Sequence, residues 1–160
     1  MQHAILFEGN PEIISMPQFK KQAEEFYTFL HQYFEKHKVH FERIPPLGQH
    51  RLDEVVPKNC SILIGHSKGA SWIVSRFEEK WYPNVEFVIL FDPSLEHCDG
   101  WNDLELNKVM ILSKDHIKGG EKMVEKLLDC VVLEKADHYF EGFFKEIEKQ
   151  LDLVLGFRKQ

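Results

Sequence analysis

Six short apolar segments, separated by longer stretches of mixed polarity, place the strongest constraint on how this chain can fold. Three of them, SILIG, FVILF and KVMIL, lack the alternation of apolar and polar residues that marks a strand with one face in water. A strand of that kind is buried on both sides, so helices must cover both faces of the sheet. The predicted strands are 4–7, 39–44, 61–64, 86–91, 108–112 and 131–133.

The longer stretches carry apolar residues at helical spacing. Because these predicted helices alternate with strands, we predict an α/β fold, a three-layer α/β/α sandwich around a six-stranded parallel sheet. Residues 93–107 show weak periodicity and are predicted as a long loop, whose Trp101 either walls a ligand pocket or covers the edge of the core. The predicted helices are 19–38, 70–81, 120–128 and 139–155.

Composition and charge narrow the classes of function. The length of 160 residues and the 43% hydrophobic content suit one domain spanning residues 1–160. A formal charge of −6 provides no basic surface for nucleic acid or an anionic membrane, and no apolar stretch approaches the roughly 20 residues of a membrane-spanning helix. No positively charged leader precedes the first apolar segment, and three widely spaced cysteines suit reduced thiols, so we expect a cytoplasmic protein.

A G-x-S-x-G motif, made of Gly65, Ser67 and Gly69, lies between the third predicted strand and the helix that follows it. In a sharp strand-to-helix turn, glycines two residues before and after the serine remove side chains that would collide. The turn lifts the serine hydroxyl to the carboxyl edge of the sheet, where α/β proteins place their ligands. Ser67 is therefore the candidate nucleophile. The alternative is that Ser67 only caps the helix, although a cap needs no glycine on either side.

A serine hydroxyl is a weak nucleophile and needs a general base that a carboxylate orients. His138 follows the last predicted strand, which places it at the same edge of the sheet as Ser67, and the chain order of serine, acid and histidine favours it. His116 is the second candidate for the base. Asp115 and Asp92 each follow the carboxyl end of a strand, so position alone leaves both open as the acid.

Three segments, GHSKGA, SKDHI and ADHYF, resemble the nucleophile turn, the acid loop and the histidine loop of the α/β-hydrolase superfamily, in its small form without a cap domain. The resemblance extends from the first strand to the C-terminal helix. It implies a right-handed, all-parallel six-strand core that lacks the two amino-terminal strands of larger members. It also favours Asp115 as the acid, because the family usually carries its acid after the penultimate strand; Asp92 is the alternative, since a minority carry it one strand earlier.

The resemblance further implies an oxyanion hole, for which we expect the backbone N–H groups of Lys68 and Asn10. The first strand of such enzymes commonly ends in His-Gly, whereas this chain has Glu8-Gly9-Asn10. A carboxylate at Glu8 would oppose negative charge on the substrate oxygen. This departure keeps a second hypothesis open, a hydrolase-fold module that binds a ligand and has no catalytic activity.

The expected reaction is the hydrolysis of an ester, thioester or amide of a small substrate through an acyl-enzyme on Ser67. An ester is favoured because it asks least of the leaving group. The expected partner is a small-molecule acyl compound, and neither a nucleic acid nor a membrane is expected. No organic cofactor is required, and no metal site is expected because histidines, cysteines and carboxylates do not cluster at metal-ligand spacing along the chain.

Overall fold

The apolar segments form the strands of one sheet in the computed structural model, which describes residues 2–45, 55–76 and 84–157. Each neighbouring pair of strands is parallel, and their order across the sheet is β2-β1-β3-β4-β5-β6. This confirms the predicted α/β fold class with six parallel strands. The strands are β1 (His3–Phe7), β2 (His40–Ile44), β3 (Ile62–His66), β4 (Phe87–Phe91), β5 (Asn107–Ser113) and β6 (Cys130–Leu133).

Helices cover both faces of this sheet, because the side chains of each strand alternate between two apolar cores. Ala4 and Leu6 of β1 enter one core, with side chains of the second and fifth helices, whereas Ile5 and Phe7 enter the other core, with side chains of the third. This arrangement confirms the predicted three layers. The helices are α1 (Pro11–Ile14), α2 (Pro17–Lys36), α3 (Lys68–Val74), α4 (Glu121–Val124) and α5 (Phe144–Leu155).

The last helix begins five residues later than predicted. The Asp137 carboxylate accepts a hydrogen bond from the N–H of Tyr139 at 2.9 Å, and Phe140 and Gly142 have positive φ angles of 58° and 83°. Left-handed backbone interrupts a right-handed helix, so residues 139–143, which were predicted to begin the helix, precede it as turns. Regular helix starts only at Phe144.

The predicted helix over 120–128 is also shorter, since α4 ends at Val124. Two residues of the long loop before β5 form hydrogen bonds with the segment between α4 and β6. Trp101 Nε1–H donates to the carbonyl of Leu128 at 2.6 Å, and the Asn102 amide donates to the carbonyl of Lys126 at 2.8 Å. Trp101 is fully buried. Of its two predicted roles, the structure therefore assigns it the one of covering the edge of the core.

The third helix begins at Lys68, two residues earlier than predicted, and is continuous to Val74. Residues 77–81 of the prediction lie outside the described residues. Among the helices that the structure describes, none combines the length and the apolar character needed to cross a bilayer.

Candidate active site

Ser67 occupies a strained turn between β3 and α3. Its φ and ψ angles of 55° and −117° lie outside the regions that residues with a side chain normally adopt. Its N–H donates to the carbonyl of Phe91 at the end of β4, at 2.8 Å. The two glycines of the motif leave no room for a side chain, because a Cβ at Gly65 would lie 2.6 Å from the Cα of Ala70 and one at Gly69 would lie 2.0 Å from a β1 carbonyl. The spacing of the motif thus has a direct steric cause.

Asp92, directly after β4, is fully buried and is held by three hydrogen-bond donors. Its Oδ1 accepts from the N–H of Ser113 at 2.8 Å, and its Oδ2 accepts from the Ser113 hydroxyl at 2.7 Å and from His138 Nδ1 at 2.8 Å. A buried carboxylate needs such partners, because an unpaired charge away from water is costly. The backbone of Asp92 also has a positive φ of 50°, which places a second strained residue in the site.

The acid favoured in the sequence, Asp115, lies elsewhere. Its side chain is 66% exposed and its Oδ1 pairs with Lys118 Nζ at 3.4 Å, three residues along the same turn. The physical reason is the end of β5: Ser113, its last residue, already uses its N–H and hydroxyl on Asp92, and the chain then turns outward into solvent. The structure therefore places Asp92, the alternative acid, against His138, and it places Asp115, the preferred one, on a solvent-facing turn.

His138 follows β6 and is one-third exposed. Its Nδ1–H donates to Asp92, which leaves Nε2 as the nitrogen able to accept a proton. The ring of His116 stacks beside it at a centroid distance of 5.7 Å, and His116 Nε2–H donates to the carbonyl of Pro93 at 2.6 Å. His116 thus lies against the imidazole that sequence reasoning preferred as the base and carries no carboxylate partner of its own among the described residues.

The hydroxyl of Ser67 forms no hydrogen bond with the residues that the structure describes. Ser67 and Asp92 nevertheless line the same cavity, and the ring of His66, next to Ser67 in the chain, lies 4.9 Å from the ring of His138. Hydrogen bonds between catalytic groups often tighten only when substrate is bound. The structure therefore gathers the serine, the histidine and the buried acid at one edge of the sheet.

The residues expected to form the oxyanion hole face the same cavity. Asn10 and Lys68 both line it with Ser67, and a Cβ built at Gly9 would lie 3.6 Å from Ser67 Cβ. The short helix α1, which the sequence did not predict, begins at Asn10, whose Oδ1 accepts from the N–H of Glu12 at 3.0 Å. Lys68 is the first residue of α3, where backbone N–H groups have no partner within the helix.

The carboxylate of Glu8 is neutralised by a cation. Arg43 donates to Glu8 Oε2 at 3.1 Å, and donates to both oxygens of Glu24 at 3.0 and 3.1 Å. Hydrogen bonds to Glu24 and then to Glu8 raise the pKa of Arg43 above its ordinary value, so the guanidinium stays charged. The sequence alone could not show that a residue of β2 compensates the unusual acid at the end of β1.

A chain of hydrogen bonds, two of them buried and the third partly buried, connects the end of β1, the turn at Ser67 and the loop that carries His138. The N–H of Gly9 donates to Tyr27 Oη at 2.9 Å, Tyr27 Oη lies 2.8 Å from His66 Nδ1, and His66 Nε2 lies 2.8 Å from the carbonyl oxygen of His138. Burial lowers the pKa of His66 to about 3, helped by the nearby His138, so the ring is neutral. Because a carbonyl only accepts, the ring proton is on Nε2, and Nδ1 accepts from the Tyr27 hydroxyl.

Sequence reasoning missed two parts of this arrangement. Ser113, whose N–H and hydroxyl donate to Asp92, is the last residue of an apolar strand. In the sequence it is marked only by being a polar residue at the end of that strand, and its complete burial is visible only in the structure. Tyr27 has no distinguishing pattern among the aromatic residues of α2, since a phenol that makes two hydrogen bonds has the same place in the sequence as a ring that only packs.

The cavity above these residues has a volume of about 570 Å³. That volume is within the range of small-molecule sites. Its walls include Asn10, Ser67, Lys68, Asp92 and His116, together with apolar side chains from α1 and from the loop after β4. The cavity thus combines a polar end at the serine with an apolar wall.

Among solved structures, the esterase domain of a protein from Rhodothermus marinus is similar to this chain. The two superpose with a TM-score of 0.64 over 97% of this chain and 85% of that domain, at 13% sequence identity. No protein-family model and no curated protein sequence matches the chain. At this identity the likeness concerns the fold alone, and the six parallel strands of this chain agree with it.

Proposed function

We propose that this protein is a serine hydrolase that cleaves an ester of a small substrate through an acyl-enzyme on Ser67. The observation that carries the proposal is the buried carboxylate of Asp92 hydrogen-bonded to His138 Nδ1 at the edge where Ser67 occupies its strained turn. A buried acid, an oriented imidazole and a strained serine together meet the requirements of an activated nucleophile.

In the proposed reaction, His138 Nε2 takes the proton of Ser67 Oγ as the oxygen attacks the substrate carbonyl. Asp92 stabilises the imidazolium that forms. The N–H groups of Lys68 and Asn10 donate to the oxyanion, because the N–H of Gly9 is already engaged by Tyr27. His138 then protonates the leaving alcohol, and a water molecule, deprotonated by the same imidazole, releases the acid and restores Ser67.

Pairing of Glu8 with Arg43 weakens the argument for a module without catalytic activity. An uncompensated carboxylate at Glu8 would oppose negative charge on the substrate oxygen. Arg43 instead forms an ion pair with Glu8, which compensates that charge. The cavity walls carry two lysines, Lys68 and Lys118, and two carboxylates, Asp92 and Glu96, so neither sign of charge is in excess among these four side chains.

Labelling with a fluorophosphonate tests the proposal directly. We expect one adduct per chain, mapped by mass spectrometry to Ser67, and loss of labelling in Ser67→Ala. Ser67→Ala is also expected to lose at least about 10⁴-fold in kcat on p-nitrophenyl esters of short and long acids. The proposal fails if the folded wild-type protein neither labels at Ser67 nor hydrolyses any ester faster than Ser67→Ala.

Replacing Tyr27 with Phe tests whether the hydrogen-bond chain positions the site. The variant leaves the Gly9 N–H and His66 Nδ1 buried without their partner, at a cost of about 1–3 kcal/mol each. Because the Gly9 N–H lies at the end of β1 and His66 contacts the loop that carries His138, losing these bonds is expected to misplace both segments. We therefore expect kcat to fall about 10- to 100-fold with little change in KM.

A matched control is available on the same helix. Tyr33 donates to Asp152 Oδ1 at 2.6 Å, and this pair joins α2 to α5, so Tyr33→Phe loses a hydrogen bond of the same kind that involves none of the residues of the candidate site. Steady-state kinetics and urea unfolding are measured for both variants. Tyr33→Phe is expected to lower stability alone; equal kcat values in the two variants would contradict a positioning role for Tyr27.

A further inference from the structure

Three potential metal ligands meet at the sheet edge opposite the candidate active site. The parallel register places His3 of β1 directly beside His40 of β2, and Glu42, two residues further along β2, lies on the same face. His3 Nε2 lies 3.3 Å from Glu42 Oε1, and His40 Nε2–H donates to the same oxygen at 3.1 Å, with a proton that a bound ion would displace. Their ligand atoms all lie within 4.8 Å of one another.

The burial and hydrogen bonding of His3 resemble those of a histidine that binds a metal ion. The residue is only 6% exposed, and its Nδ1–H donates to Asn59 Oδ1 at 3.4 Å. That bond leaves the lone pair on Nε2, which lies near the Glu42 oxygen but is not aimed at it. His3 Nε2 is buried without a hydrogen-bond partner, because the contact with the Glu42 oxygen lacks hydrogen-bond geometry. A histidine whose second nitrogen is oriented by an oxygen acceptor is the common arrangement in metal sites.

The distances between the ligand atoms of this cluster are compatible with tetrahedral coordination of a metal ion. Ligand bonds of about 2.0–2.1 Å at tetrahedral angles separate neighbouring ligand atoms by about 3.3 Å. The separations of the Glu42 oxygen from His3 Nε2 and His40 Nε2, 3.3 and 3.1 Å, are close to that value. Small rotations of His40 and Glu42, whose side chains are 56% and 45% exposed, can complete the geometry.

We propose that His3, His40 and Glu42 form a binding site for Zn²⁺ or a similar divalent transition-metal ion. Two imidazoles and one carboxylate are a typical ligand set for zinc, and they leave the fourth position to water because the outer side of the site is open to solvent. The ion would fasten the edge strand β2 to β1. The five residues of β1, about 13 Å from end to end, separate this site from the serine turn.

A second group, Asp92, His116 and His138, also has ligand atoms within 4.8 Å of one another. Its carboxylate is already saturated by three donors, and it belongs to the candidate active site. The two groups predict different responses to substitution, so one set of variants distinguishes them.

The test is calorimetric titration of untagged, chelator-treated protein with ZnCl₂, together with the absorption spectrum of the Co²⁺ complex. We expect one ion per chain, with affinity reduced at least about tenfold in His40→Ala and in Glu42→Gln, and about tenfold in Asn59→Ala. His31→Ala, which removes an exposed histidine of α2, is the control and is expected to bind as wild type does.

Circular dichroism of each variant confirms that it is folded, and His40 and Glu42 are exposed enough to replace without loss of the core. The proposal is overturned if the wild-type protein binds no Zn²⁺, if His40→Ala and Glu42→Gln bind as tightly as wild type, or if His138→Ala abolishes binding while they do not. Shifts of the His3 and His40 ring resonances in NMR spectra on adding Zn²⁺ provide a second readout.

Discussion

Replacing Asp92 with Asn is expected to lower kcat for ester hydrolysis by about four orders of magnitude. The carboxylate accepts from His138 Nδ1 at 2.8 Å and is fully buried, so its charge is the partner of the imidazolium that forms during the reaction. A neutral amide removes that charge, and an amide NH₂ turned toward Nδ1 would favour the tautomer that protonates Nε2, which could no longer accept the Ser67 proton.

Asp115→Asn is the matched control, because Asp115 is the acid that the sequence favoured. Its side chain is 66% exposed and, among the residues that the structure describes, pairs with Lys118 across a solvent-facing turn, so kcat is expected to stay within about twofold of wild type. Rates are measured on the same ester under saturating conditions, with circular dichroism to verify folding. A large loss in Asp115→Asn together with an active Asp92→Asn would restore the sequence-based assignment and refute the structural one.

The fold and the sharp turn at Ser67 could be predicted from the sequence because both depend on local patterns. Unbroken apolar segments indicate buried parallel strands, and the steric demands of a strand-to-helix turn explain Gly65 and Gly69 around Ser67. The acid could not be chosen in this way. Asp92 and Asp115 both follow strands, and the difference lies in a positive φ at Asp92 and in the outward turn after Ser113, neither of which has a one-dimensional pattern.

Contacts between residues of neighbouring strands could not be predicted from the sequence either. Glu8 alone suggested an unfavourable charge at the oxyanion hole, and only the packing of β2 beside β1 shows that Arg43 pairs with it. The same register brings His3 and His40 together although 37 positions separate them along the chain. Metal-ligand motifs with short, fixed spacings therefore do not predict this cluster. Parallel pairing joins residues across a whole crossover, so its consequences for charge and ligation appear only in three dimensions.

Replacing Gly69 with Ala is expected to have the largest effect on stability. A Cβ at this position would lie 2.0 Å from the carbonyl oxygen of Phe7 and 2.5 Å from that of Glu8, both backbone atoms at the end of the internal strand β1. Side-chain rotation cannot relieve contacts with backbone, so α3 and β1 must separate. We expect the free energy of unfolding to fall by at least about 3 kcal/mol, which corresponds to a decrease of roughly 6–12 °C in Tm.

Gly120→Ala is the matched control for this substitution. The nearest atom to a Cβ at Gly120 is Leu95 Cδ1 at 2.8 Å, the end of a flexible side chain that can rotate away, so the cost is expected to be below about 1 kcal/mol. Urea unfolding midpoints and thermal melting of both variants supply the measurement, and recovery of Gly69→Ala only as insoluble protein beside soluble Gly120→Ala agrees with the same expectation. Equal midpoints for the two variants would mean that α3 does not approach β1 as closely as the strained turn at Ser67 requires.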